Sequence, residues 1–298
     1  MYNNNRLPSE NLSIVERFNL NEQALNLFIK RDDLIHPLIS GNKWRKLKYN
    51  ILHLNINRLE GILTFGGAYS NHLLATAFAA KQANIPCVGI VRGEELTKDS
   101  NSILSFCHSL GMELKFVSRN EYGYRDEPIY KQELLTEYKN FWMVPEGGGN
   151  YQGVLGCMEI MRETDNDYDF VCVSQGTTTT SIGILLSLPE KSKLLVCPAI
   201  KGLDSIFEMK QMLFYMGFEN EFIDEKLNQV IVLSTDELGK YGKASPELKL
   251  FNNSLYERTK INFDYTYNAK SLFQLNKYIE RNSLVKEKIL YIHTGGFS

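Results

Sequence analysis

The chain has 298 residues, 43% of them hydrophobic and 23% charged. That balance describes a globular protein, and at roughly 100 to 200 residues per domain the length suggests about two domains. A formal net charge of -2 and Lys/Arg clusters too short to form a binding stripe argue against nucleic acid as a partner. No run approaches the ~18 apolar residues of a membrane span. The start, Met1 to Arg6, has no apolar signal core. A cytoplasmic protein with no membrane partner is expected. Cys87, Cys107, Cys157, Cys172 and Cys197 are odd in number and lack CxxC spacing. They read as buried reduced thiols rather than metal ligands.

In chain order, Phe28 to Asp33 reads as a short apolar strand ending in charge. Asp32 and Asp33 are adjacent carboxylates with diverging side chains, expected in solvent, with Asp33 paired to Arg31 or Arg45. Gly41 then permits a tight backbone approach just before a helix that opens on Lys43. Arg45, Lys46 and Lys48 crowd its first turn with positive charge, the wrong sign for a helix N-terminus unless an anion is present. The same crowding lowers the pKa of a lysine and readies its amine as a nucleophile. The alternative is a solvated basic helix start.

Ile62 to Phe65 reads as a strand, followed by the turn Gly66 to His72 and a small-residue helix from Leu73 to Ala80. Ser70 and Asn71 therefore sit at a helix N-terminus with free backbone N–H groups, or serve as an ordinary cap. Cys87 to Val91, Glu113 to Val117 and Phe141 to Val144 are further strands. Gly147 to Gly149 lack a GxGxxG or GKS/GKT continuation and read as a structural turn. Phe170 to Val173 is a strand, Gln175 to Thr180 a hydroxyl-rich turn, and Ser181 to Leu188 a helix. That sequence of elements suits a phosphate, or else is a polar turn with capping. Leu194 to Cys197, Val230 to Leu233 and Ile289 to Ile292 complete the strands. Continuous apolar strands separated by helices indicate an α/β fold of parallel sheets. His72 and His293 stand beside motifs and read as satisfied structural groups, and His36, His53 and His108 have no metal spacing. Lys43, Asn71 and the threonine turn together describe a phosphate-bearing aldehyde cofactor: an amine for the aldehyde, an amide for the ring, a loop for the phosphate.

Six segments, GNKWRKLKY, TFGGAYSNH, VPEGGGN, KYGKASPEL, YTYNAKSLF and IHTGG, occur in the order seen in one family. From about Phe28 to its end, the chain resembles the pyridoxal-phosphate enzymes of the D-cysteine desulfhydrase and 1-aminocyclopropane-1-carboxylate deaminase family. The resemblance implies fold type II, like the tryptophan synthase beta subunit: two open, mostly parallel twisted sheets flanked by helices. A smaller domain, 59–156, would be inserted in a larger one formed by 1–58 and 157–298, with the cofactor in the cleft and a homodimer as the assembly. It implies that Lys43 binds the cofactor aldehyde and moves the Cα proton, that Ser70 meets the substrate carboxylate or assists proton transfer, and that Asn71 bonds the ring 3-hydroxyl. Lys46 and Gly176, Thr177, Thr178, Thr179 and Thr180 match the phosphate clamp. Tyr241 and Tyr267 match two substrate-facing tyrosines, Asn268 stands opposite the pyridine nitrogen, and Thr294 lies in the terminal motif as in the desulfhydrases.

Two departures bear on chemistry. Thr177 to Thr179 replace extra glycines of the family loop, and Asn268 replaces the glutamate of the deaminases. A carboxylate there would keep the ring nitrogen protonated and strengthen the electron sink, which ring opening of a cyclopropane needs and thiolate expulsion does not. The expected activity is lyase or hydrolase chemistry on a small amino acid: β-elimination with release of keto acid, ammonia and a leaving group such as sulfide. Ring-opening deamination of 1-aminocyclopropane-1-carboxylate and non-catalytic binding of the cofactor are the alternatives.

Overall fold

The computed structural model describes the chain except residues 1–7, 22–24, 40, 166, 239–241 and 297–298. Its strands are β1 (Val15–Arg17), β2 (Leu27–Lys30), β3 (Gly61–Gly67), β4 (Cys87–Arg92), β5 (Met112–Val117), β6 (Phe141–Val144), β7 (Phe170–Gln175), β8 (Lys193–Pro198), β9 (Val230–Val232) and β10 (Ile289–Ile292). They form a six-stranded sheet in the order β1-β2-β10-β7-β8-β9 and a four-stranded sheet in the order β5-β4-β3-β6. Among the described residues, every pairing is parallel except that of β1 with β2. This is the expected α/β architecture of two mainly parallel sheets flanked by helices. β1 alone had no forecast, because Val15-Glu16-Arg17 carries neither alternation nor an apolar run.

The chain divides into two compact units, one built on Lys43–Gly156 with His36–Ile39, the other on Ser9–Ile35 and Cys157–Ser298 with Ser40–Asn42. The expected break after residue 58 differs from this division, in which nearly all of the helix Asn42–Ile56 joins the four-stranded sheet. Leu47 and Leu54 explain it: Leu47 packs with Ala75 and Phe78, and Leu54 with Ile62 and Leu73. In that unit successive residues of β3 feed opposite faces. Leu63 and Phe65 pack with Val88, Ile90 and Tyr122, whereas Ile62 packs with Leu73, Val91 and Leu104. A strand buried on both faces needs apolar residues at both parities, so the sequence reads as a continuous run.

The larger sheet is built the same way. β10 lies between β2 and β7, with Tyr291 opposite Ile29 on one side and Cys172 on the other. Leu27, Ile29, Cys172, Leu195 and Tyr291 form one core with Leu272 and Leu275 of the helix Asn268–Asn282. At the end of β2 the acidic pair departs from the solvated reading. Asp32 is fully buried and accepts a hydrogen bond from Ser13 Oγ at 2.5 Å. Lys30, equally buried, donates to Glu163 at 2.9 Å. Charges removed from water persist only when paired in this way. Asp33 does pair with Arg31, at 2.8 Å.

Gly41 makes a tight backbone contact that bears on the site. Its φ is +58°, and a Cβ there would lie 2.0 Å from the carbonyl oxygen of Thr294. Gly41→Ala is expected to cost about 3 kcal/mol or more, at the strained end of single substitutions. A fall in the urea midpoint at unchanged slope would show it, and an unchanged midpoint would refute the contact.

Candidate active site

The residue before Lys43 is held at both ends. Asn42 donates its backbone N–H to the Thr294 carbonyl at 3.2 Å and its side-chain Nδ2 to Thr180 Oγ1 at 3.0 Å. Lys43 follows in the first turn of the helix Asn42–Ile56 and is half-buried. Arg45 and Lys46 are 0% and 1% exposed, which overturns the solvated reading for those two. Lys46 Nζ donates to the Gly147 carbonyl at 3.2 Å, and its stem lies against Gly148. The three glycines thus act as a structural turn that admits a buried lysine.

Ser70 is the N-cap of the helix Asn71–Ala83, accepting from Leu73 N–H at 3.2 Å, and Asn71 is the first helical residue. His72 is 2% exposed. Its Nε2 lies 2.8 Å from Thr64 Oγ1, which donates its own proton to the Val144 carbonyl at 2.8 Å. Burial, then the charge of Lys43, then that of Lys46, hold its pKa well below the ordinary imidazole value.

In the other unit, β7 runs into Gly176 and the threonines, and the helix Thr179–Ser187 begins two residues earlier than expected. Thr178 is its N-cap residue, yet its side chain makes no capping bond among the described residues. An uncapped N-terminus after a hydroxyl-rich turn presents N–H groups and a positive dipole end to an anion. Thr177 and Thr179 bring their hydroxyls to 3.4 Å. Gln175, one residue before the turn, is 1% exposed, and neither of its amide atoms is partnered among the described residues. Tyr267 lies over Gly176, its Cε1 3.0 Å from where a Cβ would be. The uncapped N–H groups, the hydroxyls and the orphaned amide fit a phosphate-bearing group.

Asn268 is fully buried and saturated. Nδ2 donates to Asp264 Oδ2 at 2.8 Å and to the Gly295 carbonyl at 2.7 Å, while Oδ1 accepts from the Tyr291 hydroxyl at 2.9 Å and from Thr294 N–H at 3.3 Å. Thr294 Oγ1 in turn lies 3.2 Å from Ser174 Oγ. Tyr241 lies outside the described residues. Lys43, Lys46, Ser70 and Asn71 thus fall in one unit and Gly176 to Thr180, Tyr267, Asn268 and Thr294 in the other.

Asp264, Tyr291 and Ser174 had not been singled out from sequence. Asp264 accepts from the N–H groups of Thr266, Tyr267 and Asn268 and so starts the helix Asn268–Asn282. An aspartate a few residues before an apolar-periodic segment is a recognised start signal and could have found it. Tyr291 and Ser174 carry no local signal, being strand residues whose partners are distant in sequence.

The profile of the family described as "Pyridoxal-phosphate dependent enzyme" matches residues 8–209. The bifunctional D-cysteine desulfhydrase/1-aminocyclopropane-1-carboxylate deaminase of Arabidopsis thaliana, a mitochondrial protein, is 27% identical over 97% of this chain and 79% of its own length. The D-cysteine desulfhydrase of Serratia proteamaculans is 25% identical over 91% of this chain and 86% of its own. Among solved structures, an ACC deaminase homologue superposes with a TM-score of 0.77 at 23% identity, covering 100% of this chain and 96% of that one.

The buried imidazoles of His72 and His293 contribute to the acid response. His72 and His293 both have lowered pKa values, each chiefly through burial. The unfolded chain therefore binds more protons than the folded one below about pH 6.5, so this stability is whole above that value and is lost as pH falls. Urea midpoints are expected to hold at neutral pH and drop between about pH 6.5 and about pH 5, with a shallower drop in His293→Asn. A flat profile would refute the neutral assignment.

Proposed function

Because the chain belongs to the pyridoxal-phosphate dependent enzyme family, we propose that it is an enzyme eliminating a β-substituent from a small amino acid, in the manner of a D-cysteine desulfhydrase. The products are a keto acid, ammonia and a leaving group such as sulfide. Pyridoxal 5'-phosphate is the cofactor, and it supplies an electron-withdrawing ring conjugated to the substrate's Cα.

The protein's own residues take the remaining tasks. Lys43 would hold the cofactor aldehyde, and its amine, once free, would take the Cα proton. The electron pair left on Cα would form a Cα–Cβ double bond as the Cβ–S bond breaks with its pair on sulfur, and one water would hydrolyse the released enamine to keto acid and ammonia. Ser70, whose oxygen already accepts from Leu73 N–H, keeps its hydroxyl proton to donate to a substrate carboxylate. Asn71 serves the ring hydroxyl. Lys46 and the Gly176 to Thr180 turn serve the phosphate, and Tyr241 and Tyr267 face the substrate.

The observation that carries the preference for elimination over ring opening is the saturation of Asn268. Both of its amide protons and its carbonyl oxygen are already committed, so that position offers a ring nitrogen neither a carboxylate nor a spare donor. Without a charged partner there, the sink suits a good leaving group such as thiolate better than an unactivated cyclopropane. A cytoplasmic setting is supported by five buried cysteines, none of them joined in a disulfide. Among the described residues no helix is long and apolar enough to cross a membrane. A homodimer completes the reading, and sedimentation velocity tests it.

Purified protein given D-cysteine, L-cysteine, D-serine, β-chloro-D-alanine and 1-aminocyclopropane-1-carboxylate should release keto acid and ammonia together, with D-cysteine among the substrates. Product from the cyclopropane alone would overturn the preference. Binding of the cofactor with no turnover of any of the five would mark a non-catalytic binder. Lys43→Ala is expected to lose both the visible absorption of bound cofactor and turnover by at least about 10³-fold, the scale of losing a covalent and acid–base group together.

A further inference from the structure

Thr180 is the second residue of the helix Thr179–Ser187, and its side chain is buried. Its hydroxyl oxygen accepts from Asn42 Nδ2 at 3.0 Å and from the Cys157 thiol at 3.9 Å. A hydroxyl has two acceptor sites and one proton, and an amide nitrogen only donates. Both acceptor sites of Thr180 are therefore in use, which leaves its O–H as the group still to be placed. Helix hydroxyls elsewhere in the chain return that proton to the carbonyl four residues back, as Thr76 does to His72 at 2.8 Å and Thr259 to Leu255 at 2.9 Å. Thr180 makes no such bond among the described residues.

The proton is stranded at a helix start. Thr178 makes no capping bond there, so the first turn offers free N–H groups and the positive end of its dipole. The neighbouring hydroxyl is spent, because Ser181 donates to the Thr178 carbonyl at 2.9 Å. The donor that fills Thr180 comes from a fixed point. Asn42 gives its backbone N–H to the Thr294 carbonyl at 3.2 Å, and Gly41 before it has no room for a side chain against that same carbonyl. Asn42, Cys157, Thr180 and Thr294 all belong to one unit. A buried O–H beside uncapped N–H groups asks for an acceptor, and an anion suits both.

We propose that Asn42 is a positioning residue for the cofactor's phosphate: its side-chain amide occupies the Thr180 oxygen and so keeps that hydroxyl a donor to the phosphate, with the Cys157 thiol filling the second acceptor site. The proposal rests on the assignment of the Gly176 to Thr180 turn to the phosphate. Asn42 then has two separate tasks. Its backbone N–H starts the helix that carries Lys43, and its side chain serves the anion. A hydroxyl held by two donors has its O–H direction set before the ligand arrives, so binding does not have to order it. Donation into its oxygen also polarises the O–H and strengthens the bond it gives. Loss of the Asn42 amide should therefore weaken a phosphate-bearing ligand and spare the same aldehyde without its phosphate.

Pyridoxal 5'-phosphate and pyridoxal, which lacks the phosphate, separate the two tasks. Dissociation constants for both are measured by absorbance titration of the full-length chain freed of cofactor. Thr180→Val should weaken pyridoxal phosphate by about tenfold or more, the scale of one hydrogen bond to a charged group. Asn42→Ala should act through the same bond, so adding it to Thr180→Val should weaken binding by less than about twofold further. Pyridoxal should bind all three variants as it binds wild type. Asn42→Asp keeps the size of the side chain, and with it the fold should alanine not be tolerated. Its carboxylate would take the Thr180 proton, so it should lose at least as much pyridoxal phosphate affinity as Thr180→Val. Thr180→Ser, which keeps the hydroxyl, should restore the preference for the phosphate. Losses that add in the double variant, an equal loss of pyridoxal, or an unchanged preference in Asn42→Asp would overturn the role. Failure of the parent assignment is distinct: wild type would then bind pyridoxal as tightly as its phosphate.

Discussion

The structure turns on the approach of one short stretch of backbone to one carbonyl. Gly41 lies against Thr294 closely enough to exclude any side chain, and Asn42 then donates to that same oxygen at 3.2 Å. Asn42 also reaches Thr180 with its side chain. These three contacts fix where the helix Asn42–Ile56 begins, and its second residue is Lys43. For the nucleophile proposed above, a defined starting point is what the chemistry requires. A flexible loop before Lys43 would leave that to chance, whereas a positive-φ glycine locked on the terminal strand's exit does not.

Charge within the smaller unit is arranged by the same economy of groups. Arg45 and Lys46 are buried in a helix whose apolar residues already pack on the Asn71–Ala83 helix. Burying two cations near a third is tolerable only with acceptors to hand, and the Gly147 carbonyl is one of them. His72 is kept neutral in this field, so it adds no fourth charge. Thr64, deep in β3, decides which of its nitrogens carries the proton. A strand hydroxyl thus governs the chemistry of a helix residue eight positions later.

Much of the fold was legible because parallel strands buried on both faces leave a plain trace: a run of apolar residues with no alternation. β6 and β10 begin and end where the composition said they would. β1 was not legible, since an edge strand of three residues with one valine has no such trace. At the site, Lys43, Ser70, Asn71 and the threonine turn stood out because amine, amide and hydroxyls sit at helix starts, where backbone N–H groups are free. The commitment of Asn268 could not be read in the same way. Its partners are Asp264, Tyr291, Thr294 and Gly295, and three of those arrive from β10 and the segment after it, more than twenty residues away. The extent of the smaller unit was hidden for a related reason: Leu47 and Leu54 look like any helix leucines until the helix and the strand they pack against are known.

Asn268 also shows why a residue's identity and its availability are separate questions. Opposite a ring nitrogen, as proposed above, an asparagine would be a weaker partner than a glutamate. In the fold it offers less still, because Asp264 accepts one of its protons, Gly295 accepts the other, and Tyr291 donates to its oxygen. Burial pushes the pKa of the Tyr291 hydroxyl well up, so that hydroxyl keeps its proton and remains a donor. The carboxylate of Asp264 that accepts the amide also accepts the three backbone N–H groups that start the helix Asn268–Asn282. Introducing a carboxylate at residue 268 would place it beside Asp264 in a buried setting, where two like charges cannot both ionise cheaply. The network therefore resists exchange of the amide for a carboxylate.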